Sequence, residues 1–301
     1  GPGRPRRHRD TWPALAFLAP ALVGFVVFIA FPVLASLGLS LVEWKSIAPL
    51  STMRFTGLSN FGYLLSGHDG GVFRRTLWNT VVFTAVSVPV GIAVSLALAA
   101  FMDKHVYGSK LFRFLIFVPY VSSVVASVIV WQVMLQPSYG PINELLKSVG
   151  VAHPPSWFVD PHWAMPAVIA FQVWQTIGYN VVVYMAGLKS IPAEVYEAAM
   201  IDGAGQWRTF ASVTVPMVSP TTFFLTTMGV IGSFKVFDLI YLATGGGPGD
   251  ATSVISFYIY QEAFVAHRMG TSSAAAWVMF AIIFVVTMVQ LRGQKKWVTY
   301  E

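Results

Sequence analysis

The chain has 301 residues, 55% of them hydrophobic and only 11% charged, roughly half the charged share of an ordinary soluble domain, so it cannot cover its own surface with polar groups. A soluble protein with a large core is excluded, because such cores are cut into short amphipathic pieces and here uncharged apolar runs reach membrane-spanning length. The net charge of +6 does not point to nucleic acid, since the basic residues sit at the chain ends and in short loops beside apolar runs, and the lack of cysteine rules out disulfides, thiol nucleophiles and thiolate metal sites.

In chain order, residues 1–13 form a tail carrying Arg4, Arg6, Arg7 and Arg9, and its Gly1-Pro2 start fits either a trimmed terminus or an added scar. The apolar run behind this basic cluster is too long for a signal-peptide core, so it reads as a retained first span. Six spans are predicted, at 14–42, 80–102, 114–135, 163–188, 218–243 and 269–291, and all but the fifth are uncharged. Each has the length that ~30 Å of hydrocarbon requires at ~1.5 Å per residue, and a helix satisfies its backbone polar groups within one segment. The predicted fold is therefore an all-α, polytopic membrane domain over 14–291, with a second tail at 292–301. Pro20, Pro32, Pro89 and Pro166 predict kinks. Between the third and fourth spans, Pro141 to Gly150 reads as a short helix with Ile142, Leu145, Leu146 and Val149 on one face, lying on the membrane surface or on neighbouring spans. With both termini in the cytoplasm, twelve of the nineteen Lys and Arg fall on the inner side, the expected bias.

The loop at 189–217, on that inner side, is the informative one. Pro192 can open a helix, Glu194 and Glu197 favour its positive end, and Gly203 can close it. Asp202 would oppose the dipole at the helix end, so it is expected to accept hydrogen bonds from backbone N–H groups around Ala204 and Gly205 at the start of the next helix. Ala198, Ala199, Gly203 and Ala204 leave little side-chain bulk, which lets another protein approach the backbone closely. Taken by itself, this is also what an ordinary connector helix looks like.

The run Glu197-Ala198-Ala199, then Asp202-Gly203-Ala204 and Pro216, just before the penultimate span, resembles the EAA loop of permease subunits of binding-protein-dependent ABC importers. Leu188-Lys189-Ser190-Ile191-Pro192, with Asp238 and Thr244-Gly245-Gly246-Gly247-Pro248, is similar to the carbohydrate-importing branch, of the maltose and glycerol-phosphate type. The likeness extends from about Trp12 to Val298. It implies the type I importer permease fold and a coupling helix, at about 195–205, seated in a cleft of a cytoplasmic ATPase subunit. Glu197 would make the polar contact there, while Ala198, Ala199 and Gly203 would serve by being small. Implied partners are a second, similar but non-identical permease, an ABC ATPase dimer that holds ATP and Mg²⁺, an extracytoplasmic solute-binding protein and a sugar-like solute. The implied location is the bacterial cytoplasmic membrane.

No catalytic site is expected. Gly245 to Asp250 is glycine-rich but lacks the Gly-Lys-Ser/Thr ending that reaches phosphate and Mg²⁺, so a flexible extracytoplasmic turn is the better reading. The scattered histidines form no metal pattern, and no cofactor is expected on this chain.

Polar positions inside spans mark pathways. In the fifth span, Lys235 and Asp238 stand three apart, which fits either a mutually paired ion couple or a path-lining pair in which Lys235 selects a phosphorylated solute. Gly229, Gly232, Ser233 and Val236 form a small, open face of that span. In the fourth, Trp174, Ile177, Gly178 and Val181 share one face. Such a stripe usually means core, but an indole beside a glycine gap also makes room for a sugar ring, and the resembling family uses this part of the span for substrate. Trp131 and Gln132 are weaker candidates. The rival reading is an ion-gradient-driven secondary transporter, for which only Asp238 offers a deep carboxylate and no internal repeat is visible.

Overall fold

A computed structural model of the chain describes residues 11–67, 70–105 and 109–298. The basic cluster Arg4 to Arg9 and the last three residues lie outside the described residues. Helix α1 (Thr11–Phe25) passes through a π-helical turn at Val26–Ala30 into α2 (Phe31–Ser40). The Phe31 N–H bonds the Val26 carbonyl just before Pro32, so the register slips where the proline withholds its donor. The other predicted kinks do not interrupt their helices: Pro20, Pro89 and Pro166 stand inside unbroken helical runs. A short antiparallel hairpin follows, β1 (Val42–Glu43) with β2 (Arg54–Phe55), pairing Val42 with Phe55 and Glu43 with Arg54. Then come α3 (Ser59–Ser66) and α4 (Gly70–His105), which starts ten residues before the predicted Thr80.

The predicted third span is two helices. After α5 (Ser109–Val121) the chain bends by 100° into α6 (Val124–Met134), with Ser123 extended at ψ 128°. Pro119 lies one turn before the bend, where its missing N–H weakens the helix. Helix α7 (Pro141–Ser148) is the predicted short helix, although Leu145 and Val149 are exposed and the buried residue is Asn143, which accepts from Trp157 Nε1 at 2.7 Å. Helix α8 (Pro161–Lys189) is capped by Asp160, whose carboxylate accepts from the His162 N–H at 2.8 Å.

Beyond it lie α9 (Ala193–Ile201), α10 (Gln206–Thr209), a π-turn at Phe210–Thr214 and α11 (Val215–Met217). A 64° bend leads into α12 (Ser219–Phe234). The predicted fifth span does not continue straight to Ala243: the helix stops at Phe234, the chain unwinds over 235–237, and α13 (Asp238–Ala243) restarts. Then α14 (Ile255–Tyr260), a π-turn at Gln261–Val265 and α15 (Met269–Trp297) complete the chain. The glycine-rich segment before α14 is not a loose turn. Thr252, fully buried, donates to the Gly247 carbonyl at 2.7 Å and pairs with Thr244 at 2.7 Å, while Asn79 donates to the carbonyls of Asp250 and Ser253.

Among the described residues, three helical runs are long and apolar enough to cross a bilayer, Ala16–Ser40, Gly70–Met102 and Met269–Lys295, and the two bent pairs α5–α6 and Gln206–Met217 with α12 qualify when each is taken together. Helix α8 has the length, 29 residues, but Gln172, Gln175, Thr176 and Asn180 interrupt its apolar character.

Packing gives the directions of these runs. One buried layer joins Phe83 of early α4, Met165 and Phe171 of early α8, Val128 of α6 and Leu239 of α13. Another joins Met102 of late α4, Leu188 of late α8, and Leu225 of α12, with Ile116 of α5 packed against it. So α4 and α8 run one way, while α5–α6 and α12–α13 run the other. Phe73 of early α4 shares a buried cluster with Ala274 and Ala275 of early α15, which sets α15 parallel to α4. Asn60 Nδ2 donates to the carbonyls of Ser40 and Val42 at 2.9 Å each, and Trp277 Nε1 donates to Ser36 at 3.2 Å, so α2 ends where α15 begins. The six runs alternate, and both ends of the described chain lie on the same face as α9. Where lipid replaces water, burial of apolar surface no longer separates helix from lipid, and close packing with interhelical hydrogen bonds holds the bundle. Gly229 faces Val88 and Gly187 faces Thr221, while Ser233 donates to Thr84 at 2.9 Å and Tyr184 to Thr222 at 3.0 Å.

Candidate translocation cavity and coupling loop

A cavity of about 390 Å³ opens between α4, α5, α8 and α12. Its walls carry Gln172, Thr176, Tyr179 and Asn180 from α8, Ser87 and Gly91 from α4, Tyr120 from α5, and Gly229, Gly232 and Ser233 from α12. Residues 172, 176 and 180 are four apart and fall on one face of α8. Tyr120 and Tyr179 stack at 5.0 Å between ring centroids and 23° between planes. Thr176 is tied to the Gln172 carbonyl at 2.9 Å, whereas the side-chain amides of Gln172 and Asn180 bond to no protein group among the described residues. Among the described residues, the lining contains no ionisable side chain other than the two tyrosines. Two flat rings, two free amides and several hydroxyls can hold a neutral polyhydroxylated molecule, which needs dispersion against its ring faces and both donors and acceptors around its edge.

The predicted pathway residues divide. Gly229, Gly232 and Ser233 line the cavity, and a Cβ at Gly232 would meet nothing within 4 Å. Trp174, Ile177, Gly178 and Val181 do not. A Cβ at Gly178 would collide with the Ile116 carbonyl and come 2.7 Å from Phe117 Cα, so the glycine gap is filled by the backbone of α5. Val181 is buried in the packing layer near the end of α8, with Ile177 against it, and Trp174 packs on Phe171 and Trp131 with centroids 5.6 and 5.5 Å away. The stripe is helix-packing surface. Trp131 belongs to this aromatic cluster too, and Gln132 donates to the Leu242 and Ala243 carbonyls at 3.0 and 3.3 Å, closing the end of α13.

Lys235 and Asp238 form no ion pair, because the spacing of three presupposes a continuous helix and the chain unwinds between them, with Phe237 at φ −133° and ψ −57°. Both are exposed and outside the cavity, and Val236 packs against the Phe83 layer. The α8 stripe escaped the sequence reading because its polar residues are uncharged. The test applied to the fifth span, polar groups recurring within an apolar run, finds it when extended to amides and hydroxyls.

On the face shared by the chain ends, α9 forms as the loop sequence suggests. Pro192 stands at its N-cap and Glu194 in its first turn. Gly203, at φ +73°, donates to the Met200 carbonyl at 3.0 Å and Ala204 to the Ala199 carbonyl at 2.9 Å, a Schellman closure that a left-handed residue permits. The expected role of Asp202 as cap of the next helix is not found: that helix is capped by Gly205 without a side-chain bond, and the Asp202 carboxylate is exposed. With the turn closed by backbone groups, no cap is required of it. Val195 and Tyr196 anchor α9 on the layer of Leu188 and Ile191, and Tyr196 bonds Thr214 at 3.3 Å. The outer side is bare. Glu197, Ala198, Asp202 and Gly203 are exposed there, Ala199 and Ala204 half-buried, with Met200 65%, Ile201 87% and Trp207 80% exposed. Three large apolar side chains held out of a loop with three acidic neighbours form a surface suited to another protein.

Comparison with known proteins bears on both features. The family model described as binding-protein-dependent transport system inner membrane component matches residues 87–298. The lactose transport system permease protein LacF of Rhizobium radiobacter is 37% identical over 276 residues, covering 90% of this chain and 89% of that one. The sn-glycerol-3-phosphate transport system permease protein UgpA of Agrobacterium fabrum (strain C58 / ATCC 33970) is 31% identical over 284 residues, 94% of each. In fold, the chain superimposes with a TM-score of 0.81, at 24% identity and over 96% of its length and 95% of the other, on a chain of the crystal structure of a bacterial alginate ABC transporter in complex with an alginate pentasaccharide-bound periplasmic protein. A bundle of alternating helices around a polar cavity, with an exposed small-residue helix on one face and this family match over most of its length, identifies the chain: it belongs to the binding-protein-dependent transport system inner membrane component family and is a permease subunit of an ABC importer.

Proposed function

We propose that this permease forms half of the pathway for a neutral sugar or oligosaccharide, with the 390 Å³ cavity as its share of the solute site. The observation that carries the reading is the lining itself: stacked Tyr120 and Tyr179, free amides on Gln172 and Asn180, and no lysine, arginine or carboxylate. A phosphate ester fits it less well than an uncharged sugar, because Lys235 lies elsewhere. The name of the lactose relative supports this solute class, while that of the glycerol-3-phosphate relative sets the phosphorylated solute it is tested against.

All six alternating runs, α8 included, cross the membrane, and a polar stripe on α8 is tolerable because it faces the cavity rather than lipid. Both termini and α9 are cytoplasmic, as the inner-side excess of Lys and Arg suggests. A second, non-identical permease closes the open side, an extracytoplasmic binding protein delivers the solute, and α9 docks on one of two ATPase subunits, which hold the ATP and Mg²⁺. This chain hydrolyses nothing. Nucleotide-driven closure of the ATPases moves the two coupling helices together and biases the pair between inward-facing and outward-facing states.

The test is solute-stimulated ATP hydrolysis by the reconstituted complex across a panel of neutral sugars and glycerol 3-phosphate. A neutral sugar stimulates the wild type, and Gln172→Leu with Asn180→Leu abolishes the stimulation while basal hydrolysis and melting temperature persist. Stimulation that survives the double substitution contradicts this assignment of the cavity.

A further inference from the structure

A second cavity, of about 380 Å³, lies on the face opposite α9, between the β1–β2 hairpin, α3 and the start of α15. Its depth follows from the spans beneath it. One membrane-crossing run ends at Ser40 and another begins at Met269, within a few residues of the lining groups Glu43, Trp44, Lys45, Arg268 and Thr271. The cavity therefore sits at the boundary between hydrocarbon and water, the level of lipid headgroups, where Trp44 and Tyr63 suit the aromatic belt.

Its framework is rigid. Arg268 makes a bidentate pair with buried Glu262, at 2.8 Å to each oxygen, and donates to Tyr63 Oη at 2.6 Å. These groups neutralise one another and shape the wall. What remains is polar and uncommitted among the described residues: the Lys45 ammonium and the Glu43 carboxylate, both exposed, and the hydroxyl of Thr271, a residue only 6% exposed. Around this polar pocket stand apolar side chains of the hairpin and of the turn before α3, with Ile47 73%, Leu50 69%, Phe55 78% and Leu58 71% exposed. A cation and an anion that both line a polar pocket at headgroup depth, with apolar side chains exposed nearby, match an amphipathic molecule with a zwitterionic head.

We infer that this cavity holds the headgroup of a zwitterionic aminophospholipid, with its phosphate on Lys45 and Thr271 and its ammonium on Glu43. Its acyl chains descend beside α2, where Leu34 and Leu37 are exposed to lipid. The lipid ties the hairpin to the first and last spans and so braces the outer end of the bundle.

The experiment takes the permease assembled with its partner subunits, reconstituted in nanodiscs of mixed phosphatidylethanolamine, phosphatidylglycerol and phosphatidylcholine, and counts lipids retained on release by native mass spectrometry. One phosphatidylethanolamine is retained by the wild type. Lys45→Ala lowers its occupancy roughly fivefold, about what one basic group at headgroup level contributes. Glu43→Gln removes the preference for phosphatidylethanolamine over phosphatidylglycerol, and Thr271→Val, which keeps the side-chain shape, weakens retention without unfolding. In a delipidated sample, inorganic phosphate alone does not bind. Equal retention in all three variants, phosphate binding without lipid, or photo-crosslinking from position 45 to the binding protein instead of to lipid would each overturn the inference.

Discussion

Substituting Gly178 separates two meanings of one sequence stripe. If the glycine were a gap for solute, an added methyl would narrow the cavity and leave stability unchanged or improved, since Gly→Ala in a helix interior gains about 1 kcal/mol. The structure places that methyl 2.7 Å from Phe117 Cα and 3.0 Å from the Ile116 carbonyl carbon, against a normal carbon–carbon contact of about 3.5–4.0 Å. Both obstacles are backbone, so α5 must move as a body rather than a side chain turning aside. Overpacking of that kind costs about 1–3 kcal/mol, which leaves Gly178→Ala net destabilised by up to ~2 kcal/mol and Gly178→Val by more. Melting of the purified complex, followed by tryptophan fluorescence, gives the order wild type, Gly178→Ala, Gly178→Val. Gly232→Ala, with nothing within 4 Å of its Cβ, serves as a control that melts no lower than wild type. A Gly178→Ala complex as stable as wild type but defective in solute-stimulated hydrolysis would refute the packing assignment.

Other outcomes follow from the same geometry. In the turn after α9, Gly203→Ala forces an L-residue into φ +73° and destabilises the turn by about 1–2 kcal/mol, whereas Asp202→Ala, with no bond to lose, changes stability by less than about 0.5 kcal/mol; both are read by thermal melting. Gln132→Leu strips the hydrogen bonds from the Leu242 and Ala243 carbonyls and lowers stability by about 0.5–1.5 kcal/mol, with faster amide hydrogen exchange at the end of α13. The Asp160 carboxyl is held below its ordinary value by the His162 backbone N–H and then by its ring. A lowered folded-state pKa stabilises at pH above the ordinary carboxylate value of about 4 and is lost as pH falls through the lowered one, so α8 frays from Pro161 under acid and Asp160→Asn removes that dependence, as hydrogen exchange across the titration will register.

Much of this molecule could be read before it was seen. Membrane residence, the apolar helical runs and the short helix α9 all rest on local signals: apolar runs of a set length, Pro192 opening a helix, Gly203 closing one. The failures share a cause. Residues 114–135 and 218–243 are apolar enough to read as straight spans, but hydropathy carries no information on direction, so the 100° bend at Ser122 and Ser123 and the unwinding over 235–237 stayed hidden. The same unwinding parted Lys235 from Asp238, whose pairing assumed a continuous helix. Glycine is ambiguous in the same way: Gly178 and Gly232 look alike in a sequence, yet one is pressed against α5 and the other is open, because only the neighbouring helix decides. The glycine-rich segment after α13 read as loose, and its order comes from Asn79, which reaches it from α4, and from Thr252, which bonds back within the segment itself.

The central claim is that α9 is the handle by which a partner ATPase moves this bundle. The chain contains no cysteine, so Ile201→Cys supplies a single thiol at the tip of that handle, on a side chain 87% exposed. In inside-out membrane vesicles containing the assembled complex, a short thiol-to-amine crosslinker anchored there captures the ATPase subunit, and the yield changes between nucleotide-free and ATP-trapped states. Crosslinking to nothing but lipid or this same chain, or labelling of the thiol by an impermeant reagent from the extracytoplasmic side, would contradict the account.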